Sequence, residues 1–343
     1  MLLSRTLLFA GLLLLAACGR ETVHSQESYV FGTRVEVQVW GGDAGQASAA
    51  TAAVLREFDR LHRAYHAWQP SELTALNDAI AAGRPVQVSN ELAALVVEAK
   101  EVARESDFLF DPGIGALVKL WGFHDDNFKV RLPDAQKLAD LQKLRPSIAE
   151  LKVEGNNISS KNPAVALDFG GYVKGVALDR ASGIMKSRGI TNALINIGGN
   201  VLALGSKGGT PWRVGIQHPR APSPLATLEL RDGEAIGTSG DYQRYFELGG
   251  RRYSHLIDPR SGAPAVGTRA VTVLIAPRAA GGGTGMWSDV ASKPLFVAGA
   301  DWQRLATKLG ISQALRIDAA GHLEMTDAMR QRLKMEDSPT AAP

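Results

Sequence analysis

Five short stretches carry the residues able to do chemistry. D-F-G-G-Y-V-K-G, residues 168–175, brings an acid to a double-glycine turn and sets Lys174 just inside the helix that follows. Glycine lets a backbone approach a ligand closely, and a helix N-terminus favours anions. The stretch is not a P-loop, because G-x-x-x-x-G-K-[ST] is absent, nor a G-x-G-x-x-G fingerprint. On the residues alone, a phosphate-handling turn and a plain strand-to-helix turn with a surface lysine both stand. N-I-G-G-N, residues 196–200, is a second double-glycine turn after a strand, equally readable as a tight turn or a ligand contact. T-S-G-D-Y, residues 238–242, supplies two hydroxyls, Thr238 and Ser239, at a strand end. S-H-L-I-D-P-R-S-G, residues 254–262, places His255 and Asp258 close together ahead of a Pro and Gly turn. Imidazole is the usual base near neutral pH, and a carboxylate can orient it or bind its own partner. A structural histidine within a strand is the competing reading.

The fifth stretch is S-D-V-A-S-K-P-L-F-V-A-G, residues 288–299. It reads as the opening of a helix. Asp289 has the chemistry of a metal ligand, yet Lys293 follows one turn later on the same face, with Pro294 next. Magnesium takes hard oxygen ligands, whereas an ammonium offers only donors. An acid and a lysine at this spacing pair with each other.

The elements that must position these residues are legible in outline. The chain has 343 residues, enough for one large domain or two moderate ones, and its 45% hydrophobic and 21% charged content suits a soluble globular protein with a core. A formal net charge of +3 and the lack of a dense Lys/Arg run argue against a nucleic-acid partner. Residues 29–41 alternate as one strand, and residues 44–68 show helical spacing. Ser71 starts a helix, and Ser89 or Asn90 caps a strongly amphipathic one. Residues 107–123 read as a loop and a partly buried segment, and 134–144 as a short helix. Residues 148–155, 157–162 and 164–170 read as strands, 173–190 as a helix and 193–205 as a strand entering a Gly turn. Further strands fill 212–219, 225–240, 244–258 and 269–277. The chain closes on helix, strand, hairpin turn, strand and helix over 305–333. Helices flanking runs of neighbouring strands define an α+β class with a mixed, largely antiparallel sheet.

The N-terminus stands apart. M-L-L-S-R-T-L-L-F-A-G-L-L-L-L-A-A-C-G-R carries Arg5, then an apolar run with the proportions of a signal-peptide core. L-A-A-C, residues 15–18, resembles the lipobox of bacterial lipoproteins, and Cys18 is the only cysteine. The body of the chain therefore has neither an internal disulfide nor a thiol nucleophile. The expected organisation is a lipoprotein signal peptide at 1–17, a lipidated tether at 18–28 with Cys18 as attachment point, one domain at 29–332 and a disordered tail at 333–343. Gly19 gives no acidic retention signal. The expected location is the periplasmic side of a bacterial membrane, the outer membrane favoured.

Taken in order, the stretches resemble the ApbE-type family of FAD:protein FMN transferases. The landmarks are F-G-T (31–33), F-D-P (110–112), L-W-G-F (120–123), L-D-F-G-G-Y-V-K-G (167–175), N-I-G-G-N, W-R-V-G-I-Q-H-P (212–219), T-S-G-D-Y, Y-S-H-L-I-D-P-R-S-G (253–262) and D-V-A-S-K-P-L-F-V-A-G (289–299). The resemblance implies an ApbE-like fold that binds FAD and, with Mg2+, moves the FMN half onto a Thr hydroxyl of an acceptor protein, releasing AMP. Some members instead hydrolyse FAD to FMN and AMP. It implies cofactor contacts from Phe31, Phe110, Asp111, Asp168, Lys174, Thr238, Ser239 and His255, with His255 as the base. Phe31 stands where the family often has Met, which keeps an apolar contact.

The metal site departs from the family pattern. There, Mg2+ takes a backbone carbonyl, here Gly171, a carboxylate, here Asp289, and a Thr hydroxyl, here Lys293. Four readings stay open. Ser292 supplies the hydroxyl through a register shift that Pro294 favours; the Lys293 ammonium replaces the metal; the site binds FAD without transferring it; or Lys293 points to solvent and waters complete the shell. A non-enzymatic flavin-binding lipoprotein and an FAD pyrophosphatase are the competing functions.

Overall fold

The computed structural model describes residues 23–125, 130–278 and 283–336. Its centre is an eight-stranded sheet whose strands lie side by side in chain order, every pair antiparallel. They are β1 (Val23–Val30), β2 (Thr33–Trp40), β3 (Ala193–Ile197), β4 (Asn200–Leu204), β5 (Ala235–Gly240), β6 (Thr268–Ile275), β7 (Ala314–Asp318) and β8 (Leu323–Met325). Three helices cover one face: α1 (Ala44–Ala64), α2 (Val173–Ser187) and α3 (Thr284–Ala298).

Alternation explains which face is covered. In T-R-V-E-V-Q-V-W, Val35, Val37 and Val39 are buried, and Arg34, Glu36 and Gln38 are not. The valines join Ile195, Ile197, Val271 and Val273 in one apolar layer against the helices. The opposite face carries Ile236, Leu274 and Leu315, which pack on Trp212, Leu228 and Leu230 of a small sheet formed by Trp212–Gln217, Pro224–Leu230 and Leu333–Met335. With both faces covered, β4 (N-V-L-A-L) is buried at every position, and its near-continuous apolar run follows from that.

Helices α2 and α3 are pressed together. A Cβ on Gly175 would lie 2.6 Å from the Gly285 carbonyl oxygen and 2.6 Å from Met286 Cα, so only glycine admits this approach. No side chain of α3 caps its own N-terminus; instead Asp179 of α2 accepts from the N–H groups of Gly285 and Met286 at 2.8 and 2.7 Å. That satisfies two of the donors every helix start leaves unpaired. Among the starts read from sequence, Ser71 forms a capping box with Thr74, and Ser89, rather than Asn90, caps Asn90–Glu105.

The structure corrects several sequence-based boundaries. Residues 29–41 are not one strand. The chain turns at Phe31 and Gly32, both at positive φ (57° and 69°), to form the β1–β2 hairpin. Two left-handed residues in succession suit a two-residue hairpin, although a phenylalanine there is uncommon. Residues 23–28, assigned to the tether, form most of β1, and residues 333–335, assigned to the tail, form a strand paired with Pro224–Leu230. Residues 164–170 form no regular strand, only an isolated bridge from Ala166 to Ile114. The late helix opens at Thr284, not Ser288, and runs through Pro294. The signal peptide and Cys18 lie outside the described residues.

Candidate active site

A cleft of about 1060 Å³ opens where the β1–β2 turn, the end of α1, the 109–114 loop, the start of α2, the end of β5 and the bend at His255 converge on α3. Phe31, Phe110, Asp111, Asp168, Gly171, Lys174, Thr238, Ser239, His255, Asp289 and Lys293 all line it. Ser292 does not: it is buried, its hydroxyl 2.7 Å from that of Ser239 and donating to the Asp289 carbonyl at 3.1 Å. The register shift that would have turned Ser292 toward a metal does not occur, because the helix, buried on nearly every side, stays regular through Pro294.

His255 is held by one bond and several charges. Its Nδ1 lies 3.1 Å from the Arg244 carbonyl. A carbonyl only accepts, so Nδ1 carries the proton and Nε2 keeps its lone pair. Burial, then the Arg244 guanidinium, push the imidazole down to about 3; Lys174 and Lys293 push the same way, against the hydrogen bond to Arg244. At neutral pH the ring is therefore an uncharged acceptor. Asp258 does not orient it. That carboxylate grips Arg260 instead, at 2.9 and 2.8 Å.

Asp289 is buried and fully engaged. Its Oδ1 accepts from Lys293 Nζ at 2.6 Å and from Asn200 Nδ2 at 2.9 Å, and its Oδ2 from the Gly175 N–H at 3.1 Å. Burial works to raise this acid, but Lys293, Lys174 and the hydrogen bonds outweigh it and hold it below the usual range. Lys293 Nζ also donates to the Asp289 carbonyl at 2.6 Å. The lysine stem lies over Gly171, where an added Cβ would meet Cε at 2.6 Å. The Lys293 side chain thus spans from Gly171 to Asp289, with its ammonium on the carboxylate.

The donor set does not fit Mg2+. The ion needs near-octahedral oxygens at about 2.1 Å. Here the single carboxylate is already neutralised by an ammonium, the third position offers N–H donors, and the neighbouring hydroxyl is committed to Ser239. Among the described residues no group of three or more His, Cys, Asp or Glu could hold a metal.

The remaining acids have structural work. Asp111 Oδ1 accepts from the N–H groups of Gly113 and Ile148, both at 2.8 Å, and burial raises its pKa against those bonds. Asp168 Oδ1 accepts from Gly170 at 2.8 Å; burial raises this acid too, against Gly170 and Arg244. Thr238 shares its hydroxyl with Thr272 at 2.8 Å, on the sheet face opposite Ser239.

Two participants escaped sequence reasoning. Arg244 supplies the His255 contact and anchors its own guanidinium on the Phe123 and Asp125 carbonyls at 2.8 and 3.3 Å. No spacing signal points to it. Asn200 closes N-I-G-G-N, whose glycines turn at φ 58° and 93°. The motif is a tight turn that also delivers a carboxamide to Asp289. Replacing Arg244 with leucine should raise the His255 pKa by about one unit by removing the cation that depresses it most. Imidazole NMR titration of the variant measures this, and an unchanged value would contradict the electrostatic account.

Comparison with known proteins shows the family of the chain. The family model described as "ApbE family" matches residues 31–315. A Rhodobacter capsulatus protein named FAD:protein FMN transferase is 41% identical over 320 residues, 93% of this chain; the chain spans 60% of that relative's length. A Klebsiella pneumoniae (strain 342) protein of the same name is 33% identical over 291 residues, covering 80% of this chain and 82% of that one. Among solved structures, the ApbE protein of Thermotoga maritima superposes with a TM-score of 0.82 at 28% identity, covering 91% of this chain and 99% of its own. The Pseudomonas stutzeri flavinyl transferase ApbE gives 0.77 at 28% identity, covering 91% and 97%. The fold is that of the solved ApbE structures. The chain belongs to the ApbE family.

Proposed function

We propose that this chain transfers the FMN half of FAD onto a threonine hydroxyl of an acceptor protein and releases AMP. The observation that carries the reading is the meeting, in one cleft, of a neutral His255 with three cationic side chains, Lys174, Lys293 and Arg244. The threonine oxygen attacks the phosphorus of the FMN half, and its proton passes to His255 Nε2. The bond from that phosphorus to the bridging oxygen breaks, and the oxygen leaves on AMP. A phosphoryl transfer of this kind depends mainly on positioning and charge neutralisation. Lys174, at the start of α2, and Lys293 face the pyrophosphate and offset the charge that builds on the leaving phosphate. Thr238, Ser239, Phe31, Phe110 and the Asp168 turn shape the walls around the dinucleotide. The cleft volume is of the order needed for such a ligand.

The chain is proposed to work at the periplasmic side of a bacterial membrane, preferably the outer one, with Cys18 lipidated after cleavage. The support is the lone cysteine at the end of L-A-A-C behind an apolar run. No described helix is long and apolar enough to cross a membrane.

The test is incubation of the full chain with FAD and a Thr-bearing flavin acceptor domain. Expected are equal amounts of AMP and of acceptor carrying gel-resolved flavin fluorescence. AMP with free FMN, independent of acceptor, would make the protein a pyrophosphatase. Bound FAD with no AMP would make it a flavin-binding protein, and either result overturns the transferase reading.

A further inference from the structure

We propose that Lys293 is a tethered cation that takes the place of a divalent metal ion, so that the transfer proceeds without one. The inference rests on the FMN-transfer reading but has its own evidence. The Lys293 side chain spans Gly171 and Asp289, the two positions at which the family resemblance expects metal contacts, its stem over the first and its ammonium on the second. It contacts Asp289 twice, through Oδ1 and through the backbone carbonyl, both at 2.6 Å. Asn200 and Gly175 hold the rest of that carboxylate. The Asp289 side chain is 1% exposed and that of Lys293 is 17% exposed, so the pair is shielded but its cationic end reaches the cleft that Lys293 lines.

The chemistry is consistent with substitution rather than loss. An ammonium has three N–H donors. Two are directed at Asp289, and the third remains for a pyrophosphate oxygen. A carboxylate and an ammonium sum to zero, so a divalent ion entering the same space would find no net negative charge to balance its own. One ammonium supplies less charge than a divalent ion, and Lys174 makes up the difference: it lines the same cleft, and its charge is felt at both Asp289 and Lys293. The lysine stem lies close over Gly171, where a Cβ would crowd Cδ and Cε at 3.0 and 2.6 Å and the stem would have to shift to admit it. The turn and the lysine are thus fitted to each other.

The experiment compares the full chain, purified in detergent micelles, with its Lys293→Thr variant. Mn2+ binding is read by the loss of free-ion EPR signal, FAD binding by flavin fluorescence in EDTA, and transfer in EDTA and in Mg2+. The expected wild-type result is no stoichiometric Mn2+ binding and a transfer rate that changes less than about two-fold between EDTA and Mg2+. Lys293→Thr should gain a Mn2+ site that Asp289→Asn abolishes, and its transfer should fall about 100-fold in EDTA and return with Mg2+, the loss expected from one missing electrostatic group. Wild-type transfer that stops in EDTA and resumes with Mg2+ overturns the proposal and leaves the transferase reading intact. Mn2+ bound stoichiometrically by the wild type and released by Asp289→Asn overturns it as well, even if no transfer is seen. Absence of transfer in every condition, with FAD bound, overturns the transferase reading and with it any role for Lys293 in transfer. The wild-type measurements decide the question even if the variant fails to fold.

Discussion

Changing His255 to asparagine should slow FMN transfer by about 10²- to 10⁴-fold, the usual worth of a positioned general base. FAD affinity should change much less, by under about five-fold, because the ring is uncharged at neutral pH and offers the pyrophosphate no cation. Single-turnover flavin labelling of an acceptor domain, beside a fluorescence titration with FAD, separates the two quantities. A variant that keeps its rate would remove His255 from the mechanism. The pH dependence follows with a definite sign. The folded-state pKa is near 3 and the ordinary value near 6.5. Above 6.5 the ring is neutral in both folded and unfolded chains. As pH falls from 6.5 toward 3, the unfolded chain takes up a proton that the folded chain refuses, so stability is lost across that window. His255→Asn should lessen this acid sensitivity, which denaturant melts between pH 4 and 7 would register.

Changing Asp289 to leucine should destabilise the fold by about 3 kcal/mol or more, because it strands a largely buried ammonium and leaves Asn200 and the Gly175 N–H without their acceptor. In a chain of this size that corresponds to a fall in Tm of about 4 °C or more. Pairing the change with Lys293→Met should recover much of the loss, since removing both members of a buried pair is far milder than removing one. The double variant would not recover transfer, because both groups would be gone from the cleft. Calorimetry of the single and double variants tests this, and a double variant no more stable than Asp289→Leu would show that the pairing is not what holds the region together.

Much of this site was legible because its parts lie in short linear motifs. L-D-F-G-G-Y-V-K-G, Y-S-H-L-I-D-P-R-S-G and D-V-A-S-K-P each carry two or more cleft residues in a few positions. What escaped was long-range. The bonds from Asn200 to Asp289 and from His255 to the Arg244 backbone join different elements, and neither has a periodic trace. The fold shows the same division. The largely antiparallel character of the sheet followed from runs of neighbouring strands, and serines mark two helix starts by hydrogen bonds confined to one turn. The edge strand was missed because V-H-S-Q-E-S-Y-V is polar and buries only its last residue, Val30. Edge strands are often polar, so alternation fails where the sheet meets water. Residues 164–170 misled in the opposite way. They are apolar enough for a strand, yet their backbone is held by bonds to Pro112, Gly113 and the Asn77 side chain rather than by a ladder.

The sheet's spatial order hides a kinetic division. No other pair of neighbouring strands is separated by as much chain as the β2–β3 seam, which pairs Val37 with Ile195 across a stretch that includes α1 and α2. Closing so distant a contact carries a large loop entropy and makes it a natural late step of assembly. Phe31 belongs to the hairpin on one side of that seam, while His255, Asp289 and Lys293 lie beyond the other. Until the seam zips, the cleft has only part of its wall. A flavin nucleotide can therefore be gripped by the completed protein alone, and its binding draws the population toward the closed sheet by mass action.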